Sequence, residues 1–307
     1  MINNRICIFT NDVEATSIAR HRQSEETGKR VVEEAMPLLL ELYWRYKVKT
    51  TFFFTGHIAE RFPEAVKMIL PYGHEVGCHG YSHQDQDAFD SLSLTDQIKH
   101  LRKAKSILEA ISGQEVISFR APSLRIGSNT YIALEETGFK IDSSIAPQRA
   151  DFIFSMGAIR KFKWLLAPRG SYHIAQGNCY KRGKSSIYEV PLSALLLPYT
   201  GTLMRISSSL NFFLRSILYL ENLLERDRPI VFLFHPNECL SETEDAELIR
   251  RCSGLFGHFF KDQLRHKLKM RNLGKNALYL LENQLVFFHR NHYVFKTMKD
   301  YVASRIN

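Results

Sequence analysis

The chain has 307 residues, of which 45% are apolar, enough for one large α/β domain or two smaller ones with a full core. No run reaches about eighteen consecutive apolar residues, and the N-terminus lacks the features of a secretory signal, so neither a membrane span nor a signal is predicted. The formal net charge of +9 is concentrated in segments 145–186 and 250–275, each with eight Lys or Arg residues and one acid.

Seven short apolar or β-branched runs predict strands, and 3.6-residue periodicity predicts helices between most of them. The strand candidates, in chain order, are residues 5–10, 50–55, 75–78, 116–120, 139–143, 187–190 and 230–234. The helix candidates are residues 28–46, 59–70, 93–111, 129–137 and 207–225. This alternation predicts a parallel sheet, either open or closed into a barrel.

Two segments fall outside the alternation. Residues 144–186 join the fifth and sixth strand candidates with little predicted regular structure, and a loop of this length is more often functional than idle. The basic, aromatic tail supplies either a last strand and helix or an appendage. We predict a barrel over 1–245 that includes the insertion 144–186, with a basic extension over 246–307 packed on it.

Ionisable side chains follow six of the seven strand candidates at their C-terminal ends, where parallel α/β proteins place reactive groups. They are Asp12 with Glu14, His57, His79 with His83, Arg120, Asp142 and His235. Scattered surface charges would not select the same end of each strand so consistently. The sequence therefore predicts a polar site at this edge.

The carboxylate and histidine pairs each have a structural alternative. The spacing of His79 and His83 would put two imidazoles on one helix face, but this spacing alone is a weak metal motif. Asp12 and Glu14 would converge in an extended chain, whereas an Asp turn or a helix N-cap explains them at least as well. His74 begins its strand and is predicted to be structural.

The remaining two candidates are equally ambiguous when taken singly. His235 fits a hydrogen-bonded core histidine, and Arg120 fits a structural ion pair or a bidentate support for a carboxylate base. In combination, the six residues form the constellation of a metal hydrolase. One carboxylate and two imidazoles match the three protein ligands of a catalytic zinc site.

These residues lie in motifs that resemble the polysaccharide deacetylase family, also called the NodB homology or carbohydrate esterase family 4. The similar motifs, in the family's order, are FTNDVE (9–14), GHEVGCHGYSH (73–83), FRAPS (119–123), GFKIDSS (138–144) and IVFLFHP (230–236). The resemblance covers roughly residues 5–240. It implies an irregular (β/α)7 barrel, a distorted TIM-type fold, here with a long insertion between strands five and six and a basic C-terminal extension.

The resemblance also implies roles for the site residues. Glu14, His79 and His83 would hold a divalent metal, which we expect to be zinc, with cobalt, nickel or manganese as alternatives. Asp12 would be the catalytic base, Arg120 would hold it, and His235 would protonate the leaving amine. The chain has Asp-Val-Glu where the family more often has Asp-Asp, so the reverse assignment of Asp12 and Glu14 stays open. The substrate would contact Tyr81, Pro122, Asp142 and Leu233.

The implied function is removal of an N-acyl group, acetyl or formyl, from an amino sugar of a polysaccharide, a glycan precursor or a lipid-linked sugar. The alternatives are hydrolysis of a small non-sugar amide or ureide, and an inactive carbohydrate-binding relative. The basic insertion 144–186, expected over the barrel mouth, favours an anionic or lipid-linked substrate. The basic tail suggests contact with the inner membrane surface.

No nucleic-acid-binding motif is present, so we predict no nucleic-acid partner. Five scattered cysteines without a CxxC pair favour free thiols and a cytoplasmic protein. The oligomeric state stays open.

Overall fold

The computed structural model describes residues 5–20, 22–149, 164–225, 228–242 and 263–306. Strands and helices alternate through most of these ranges. The strands are β1 (Ile6–Val13), β2 (Thr51–Phe54), β3 (Glu75–Cys78), β4 (Ser118–Phe119), β5 (Ile141–Asp142), β6 (Tyr172–Ala175), β7 (Asn178–Arg182), β8 (Tyr188–Glu189), β9 (Ala194–Leu195), β10 (Leu197–Pro198), β11 (Ile230–Phe234) and β12 (Val294–Phe295).

The helices pack mainly on the outside of the sheet. They are α1 (Glu25–Arg30), α2 (Met36–Arg45), α3 (Gly56–Arg61), α4 (Pro63–Lys67), α5 (Leu94–Ser112), α6 (Thr130–Glu136), α7 (Gly201–Ile206), α8 (Ser208–Leu224), α9 (Arg265–Lys269), α10 (Lys275–Arg290) and α11 (Met298–Ile306), with a π-helical turn at Val31–Ala35 between α1 and α2. No helix in the described ranges combines the length and the apolar character needed to span a bilayer.

Seven parallel strands, in the order β11-β1-β2-β3-β4-β5-β8, form a curled sheet. All seven correspond to predicted strands, and the distorted barrel expected from the sequence is confirmed. The strands are nearly continuous apolar runs because both faces are covered. On β1, for example, Phe9 packs on Phe232 of the neighbouring strand and on Phe288 of α10.

The barrel closes irregularly between β8 and β11. Backbone hydrogen bonds from Ser193 N to Val231 O (3.1 Å) and from Leu233 N to Tyr199 O (3.3 Å) span this gap. The segment that carries β9 and β10 therefore takes the place of a regular strand pairing. The result is a half-barrel whose strands all point their C-terminal ends to one mouth.

The insertion differs from its prediction. We expected little regular structure over the mouth, but β6 and β7 form an antiparallel hairpin, and β6 pairs with the edge of β8. Gly177 N donates to the Tyr131 hydroxyl (2.7 Å) and Ser185 Oγ to Glu135 (2.7 Å), both on α6. The described part of the insertion thus lies beside the barrel wall. Residues 150–163 lie outside the described residues.

The C-terminal residues close the opposite end of the barrel. Strand β12 pairs with the beginning of β1, and the first residues of α11 reach the starts of β2 and β3. Met298 N donates to Thr51 Oγ1 (2.9 Å) and Lys299 N to Glu75 Oε2 (3.0 Å). A site is therefore accessible from the mouth formed by the C-terminal strand ends. The division into domains at 245 falls outside the described residues and stays a prediction.

Candidate metal centre

Strand β1 delivers the two carboxylates to the mouth. Alternation along the strand turns Asp12 into the barrel and its neighbour Asn11 outward, where Asn11 Oδ1 accepts a hydrogen bond from the Tyr43 hydroxyl of α2 (2.8 Å). Asp12 and Glu14 are both buried. The alternative, that Asp12 and Glu14 form a surface turn or a helix N-cap, does not fit two carboxylates that are buried.

The two histidines of the HxxxH motif lie on a turn after β3, not on a helix. Gly80 has a φ of +69°, the left-handed conformation that glycine adopts without strain, and this turns the chain so that His83 returns towards His79. The imidazole centroids are 5.7 Å apart. The two imidazoles are therefore brought together by a turn, and not by one face of a helix as their spacing had suggested.

Glu14, His79 and His83 meet at one point. One ligand atom from each lies within 4.8 Å of the other two, and Glu14 Oε2 is 3.0 Å from His83 Nε2. Despite this contact, Glu14 Oε2 is buried without a hydrogen-bond partner of acceptable geometry. A buried carboxylate oxygen left in this state is costly unless a cation satisfies it.

The tautomer of His79 also fits a metal ligand. Its Nδ1 lies 2.8 Å from the backbone carbonyl of Arg120, which can only accept, so Nδ1 carries the proton and Nε2 presents a lone pair to the group. Burial lowers the pKa of His79 and keeps the ring neutral. One carboxylate and two imidazoles form the donor set of a catalytic zinc site with an open fourth position. The residues present fit the expected metal.

The charges within the group reinforce each other. Burial alone would raise the pKa of Glu14, but the charge of His83 outweighs it and the pKa falls to about 2. Burial alone would lower the pKa of His83, but the Glu14 carboxylate outweighs it and the pKa rises. Glu14 is therefore ionised, as a metal ligand must be, whereas His83 must release the proton that Glu14 stabilises before it can bind a metal.

Asp12 is held by Arg120 at the end of β4. Arg120 Nη1 lies 2.9 Å from Asp12 Oδ1, and this buried guanidinium also donates to Thr10 Oγ1 (2.6 Å), Ser143 O (2.9 Å) and Ser143 Oγ (2.8 Å). The other Asp12 oxygen, Oδ2, is 3.7 Å from His79 Nε2. Asp12 therefore has one oxygen fixed by Arg120 and one directed to the metal group.

His235 follows β11 on the far side of the mouth. Its side chain is 24% exposed, and its Nδ1 lies 3.7 Å from Glu238 Oε1, three residues later. Burial alone would lower the pKa of His235, but the nearby Glu238 carboxylate outweighs it and the pKa is raised. Glu238 thereby favours the protonated ring, and the side chain is partly exposed at the mouth.

Glu238 was missed by the sequence reasoning, although its spacing from His235 was visible in the HPNE stretch. Its Oε1 accepts from Thr202 Oγ1 (2.7 Å) and Arg205 Nη2 (3.3 Å), and Arg205 in turn donates to the backbone carbonyls of Lys269 and Arg271. The C-terminal extension therefore supports the residue that faces His235. Thr202 and Arg205 fix this carboxylate through tertiary contacts that the sequence does not show.

A glycine leaves room for this carboxylate. At Gly201, the first residue of α7, an added Cβ would lie 2.2 Å from Glu238 Oε2 and 2.5 Å from the Phe234 ring. Any side chain there would displace one of the two. Helix α7 can begin beside the mouth only with glycine at this position.

Two of the four predicted substrate contacts lie near the group. Leu233 lies on β11, two residues before His235. In an extended chain this spacing points both side chains to the same side. Pro122 lies against Gly80, where an added Cβ would be 3.3 Å from its ring, and the following Ser123 has its Oγ 3.5 Å from His83 Nε2. Both positions agree with a wall of the mouth.

The other two side chains are engaged elsewhere. The Tyr81 ring packs between α3 and α5, where its hydroxyl donates to Glu60 (2.7 Å) and the Lys103 ammonium lies 3.7 Å from the ring centroid. Asp142 belongs to a second buried acid cluster, with Ser144 and Glu189, where burial raises its pKa to about 6. The structure brings neither side chain to the metal group.

His74 is structural, as predicted. Its Nδ1 accepts from Thr50 N (3.3 Å), its ring packs against Tyr43, Phe52 and Tyr72, and burial lowers its pKa to about 4. It lies at the beginning of β3, at the end of the barrel opposite to the mouth.

Comparison with known proteins gives one family over the part of the chain that carries the histidine motif. Residues 26–141 match the family described as Polysaccharide deacetylase. A peptidoglycan deacetylase of Helicobacter pylori is 35% identical over 113 residues, which is 37% of this chain and 38% of the relative. The chain thus spans less than half the length of this curated relative.

Solved structures show the same fold at low identity. A probable polysaccharide deacetylase from Pseudomonas aeruginosa covers 97% of this chain and 90% of its own, with 16% identity and a TM-score of 0.61. An allantoinase, Puue, covers 98% and 90% with the same identity and TM-score. At these identities the two structures establish the fold and leave the substrate open.

Proposed function

We propose that the chain, whose residues 26–141 match the polysaccharide deacetylase family, is a metal-dependent hydrolase that removes an N-acetyl or N-formyl group from an amino sugar. The observation that carries the proposal is the convergence of Glu14, His79 and His83 beside an arginine-bound Asp12, with His235 and its Glu238 partner opposite. The curated relative acts on peptidoglycan, which also points to an N-acylated amino sugar.

Glu14, His79 and His83 would hold the metal, which we expect to be zinc. When bound, such an ion polarises the amide carbonyl and lowers the pKa of a water towards about 7. The donor set supports zinc, and cobalt, nickel or manganese would occupy the same ligands. The buried, unpartnered oxygen of Glu14 favours this residue over Asp12 as the carboxylate ligand.

Asp12 would act as the general base. Arg120 occupies Oδ1, so Oδ2 is the oxygen that accepts the proton of the attacking water. Oδ2 lies 3.7 Å from His79 Nε2, which places the proposed base directly beside the ligand group. The tetrahedral carbon that results then collapses with cleavage of the C–N bond.

His235 would donate the proton that the leaving amine nitrogen needs. Glu238 raises the pKa of His235 and so favours the form of the ring that carries this proton. The ring is 24% exposed, which allows contact with a substrate at the mouth. Acetate or formate and a free amino sugar are the products.

The substrate's wider chemistry is a further part of the proposal. The net charge of +9 favours an anionic or lipid-linked sugar. The described part of the basic insertion adds no support, because it lies beside the barrel wall and its Arg169 pairs with Glu221 (2.5 Å). Cytoplasmic localisation and contact with the inner membrane surface stay predictions. Salt dependence of KM with an anionic substrate, absent with a neutral one, would support this part.

A product assay tests the activity. The zinc-loaded protein is offered peptidoglycan fragments, chito-oligomers, a lipid-linked N-formyl amino sugar and allantoin, and acetate, formate and allantoate are quantified. We expect acyl release from an amino sugar, lost in His79→Ala and in Asp12→Asn. His289→Ala, an exposed histidine in the last turn of α10, is the matched control and should keep full activity.

The assay also separates the alternatives. Allantoate as the product would identify a ureide hydrolase, and sugar binding without acyl release would identify an inactive relative. Full activity in Asp12→Asn would disprove the assignment of the base.

A further inference from the structure

Helix α8 has an outward face made of large apolar side chains. Its inward face packs on the barrel through Asn211, Leu214, Leu218 and Asn222. Opposite them, the exposed fractions are 60% for Phe212, 65% for Phe213, 58% for Leu220, 38% for Leu223 and 88% for Leu224, with Leu210 at 49% on the flank. A surface helix normally turns charged residues to this side.

Charged side chains lie only at the margins of this face. Arg215 turns inward, where it lies 4.0 Å from the Phe287 ring centroid and donates to Gln284 (3.2 Å). Glu221 is engaged by Arg169 on the barrel wall. The outward face itself holds only apolar residues and the small Ser209 and Ser216. A helix that is apolar on both sides indicates a second covering surface.

The size of the face fits an interface between proteins. From the exposed fractions and the area of large side chains, the six residues expose roughly 600 Å² of apolar surface. That is at the upper limit of the patches found on monomers and about three quarters of the ~800 Å² that each partner buries in a standard interface.

The arrangement along the helix is self-complementary. Ser216 lies at the middle of Ser208–Leu224, with two exposed phenylalanines before it and three exposed leucines after it. Around a two-fold axis at Ser216, an antiparallel copy places the phenylalanines of one helix against the leucines of the other. The same operation places Phe212 of one copy level with Leu220 of the other, since each lies four residues from Ser216.

A membrane surface fits this face less well. Anionic lipid attracts helices that carry several Lys and Arg residues beside their apolar face, whereas α8 has a single basic residue, Arg215, and it turns inward. We propose that the chain forms a symmetric dimer in which α8 of one copy packs antiparallel against α8 of the other, with Ser216 at the two-fold axis.

Mass and cross-linking measurements on the full zinc-loaded chain test the dimer. Sedimentation velocity in the low micromolar range should give twice the monomer mass of 35.6 kDa. The double variant Phe213→Glu/Leu220→Glu should sediment as a folded monomer with an unchanged circular dichroism spectrum. Trp44→Glu, at a 67% exposed tryptophan on α2, is the matched control and should remain a dimer.

Cross-linking then tests the antiparallel geometry. In a Cys252→Ser background, Ser216→Cys should oxidise to a disulfide-linked dimer. Ser209→Cys should not form this disulfide. Position 209 lies seven residues from the two-fold axis, so its two copies are about 20 Å apart.

The proposal is overturned if the wild-type chain sediments as a monomer, or if the double variant remains a dimer. A monomer that binds phosphatidylglycerol vesicles through the same face, with binding lost in Phe213→Glu/Leu220→Glu, would also overturn it and assign the face to lipid. Cross-linking of Ser209→Cys but not of Ser216→Cys would exclude the antiparallel arrangement.

Discussion

Replacing Arg120 by methionine should destabilise the protein strongly, because it removes the charge that compensates a buried carboxylate. Arg120 is fully buried, Asp12 is 3% exposed, and their atoms are 2.9 Å apart. Removing one partner of a buried pair costs about 3–5 kcal/mol, since the other charge stays uncompensated. The methionine keeps much of the aliphatic volume, so we attribute this loss to polar contacts and not to a cavity.

The assay is urea unfolding, followed by fluorescence, in the presence of a chelator so that metal binding does not contribute. Trp164 is a suitable probe because it is 1% exposed in the folded protein. Arg45→Met is the matched control: its partner Glu282 is 3.2 Å away, but the side chains are 49% and 30% exposed, and such surface pairs contribute at most about 1 kcal/mol.

A double-mutant cycle shows whether Asp12 is the cause. In the Asp12→Asn background the buried charge is already gone, so Arg120→Met should cost about 1–3 kcal/mol less than in the wild type. The reasoning is refuted if Arg120→Met costs no more than the Arg45→Met control, or if the two substitutions at the site are simply additive.

Three further predictions concern the surroundings of the site. Glu238→Gln should lower the pKa of His235 and shift the basic limb of the kcat/KM profile to lower pH with KM unchanged; an unshifted profile would separate Glu238 from His235. Burial raises the pKa of Glu75 in the folded protein above its value in the unfolded chain. The contribution of Glu75 to the free energy of unfolding is therefore complete below the unfolded-state pKa, and it is lost as the pH rises through the folded-state pKa. Glu75→Gln should therefore gain stability over the wild type in urea unfolding at pH 7.5, and the gain should vanish near pH 4. Gly201→Ala should lose most activity and about 1–3 kcal/mol of stability from overpacking, whereas Gly170→Ala, whose added Cβ comes no closer than 3.8 Å to its neighbours, should change neither.

The strand framework was predictable because each parallel strand is buried on both faces. Stretches such as TTFFFT and IVFLF are continuous apolar runs with turn residues after them, and they became β2 and β11. Since parallel strands end at one edge, the convergence of Asp12, His79 and His235 followed from their positions after strands. Chain order and strand direction alone therefore predicted that these side chains would meet at one edge of the sheet.

The features that were missed depend on contacts distant in sequence or on the path of a loop. The direction of the Tyr81 side chain depends on Glu60 and Lys103, which lie on separate helices. The β6–β7 hairpin was missed because its strands are short and polar, although Gly177, with a φ of +75°, marks the turn between them. Local pattern predicts burial, whereas the partner of a polar group is fixed by the tertiary fold.

The central claim is that Glu14 binds the metal and Asp12 acts as the general base. The zinc content of two matched variants tests this claim most directly. Each protein is saturated with zinc and dialysed, and bound metal is measured together with acyl release. Asp12→Asn should retain about one zinc per chain and be inactive, while Glu14→Gln should lose most of its zinc. Zinc lost in Asp12→Asn and retained in Glu14→Gln would contradict the account and reverse the two roles.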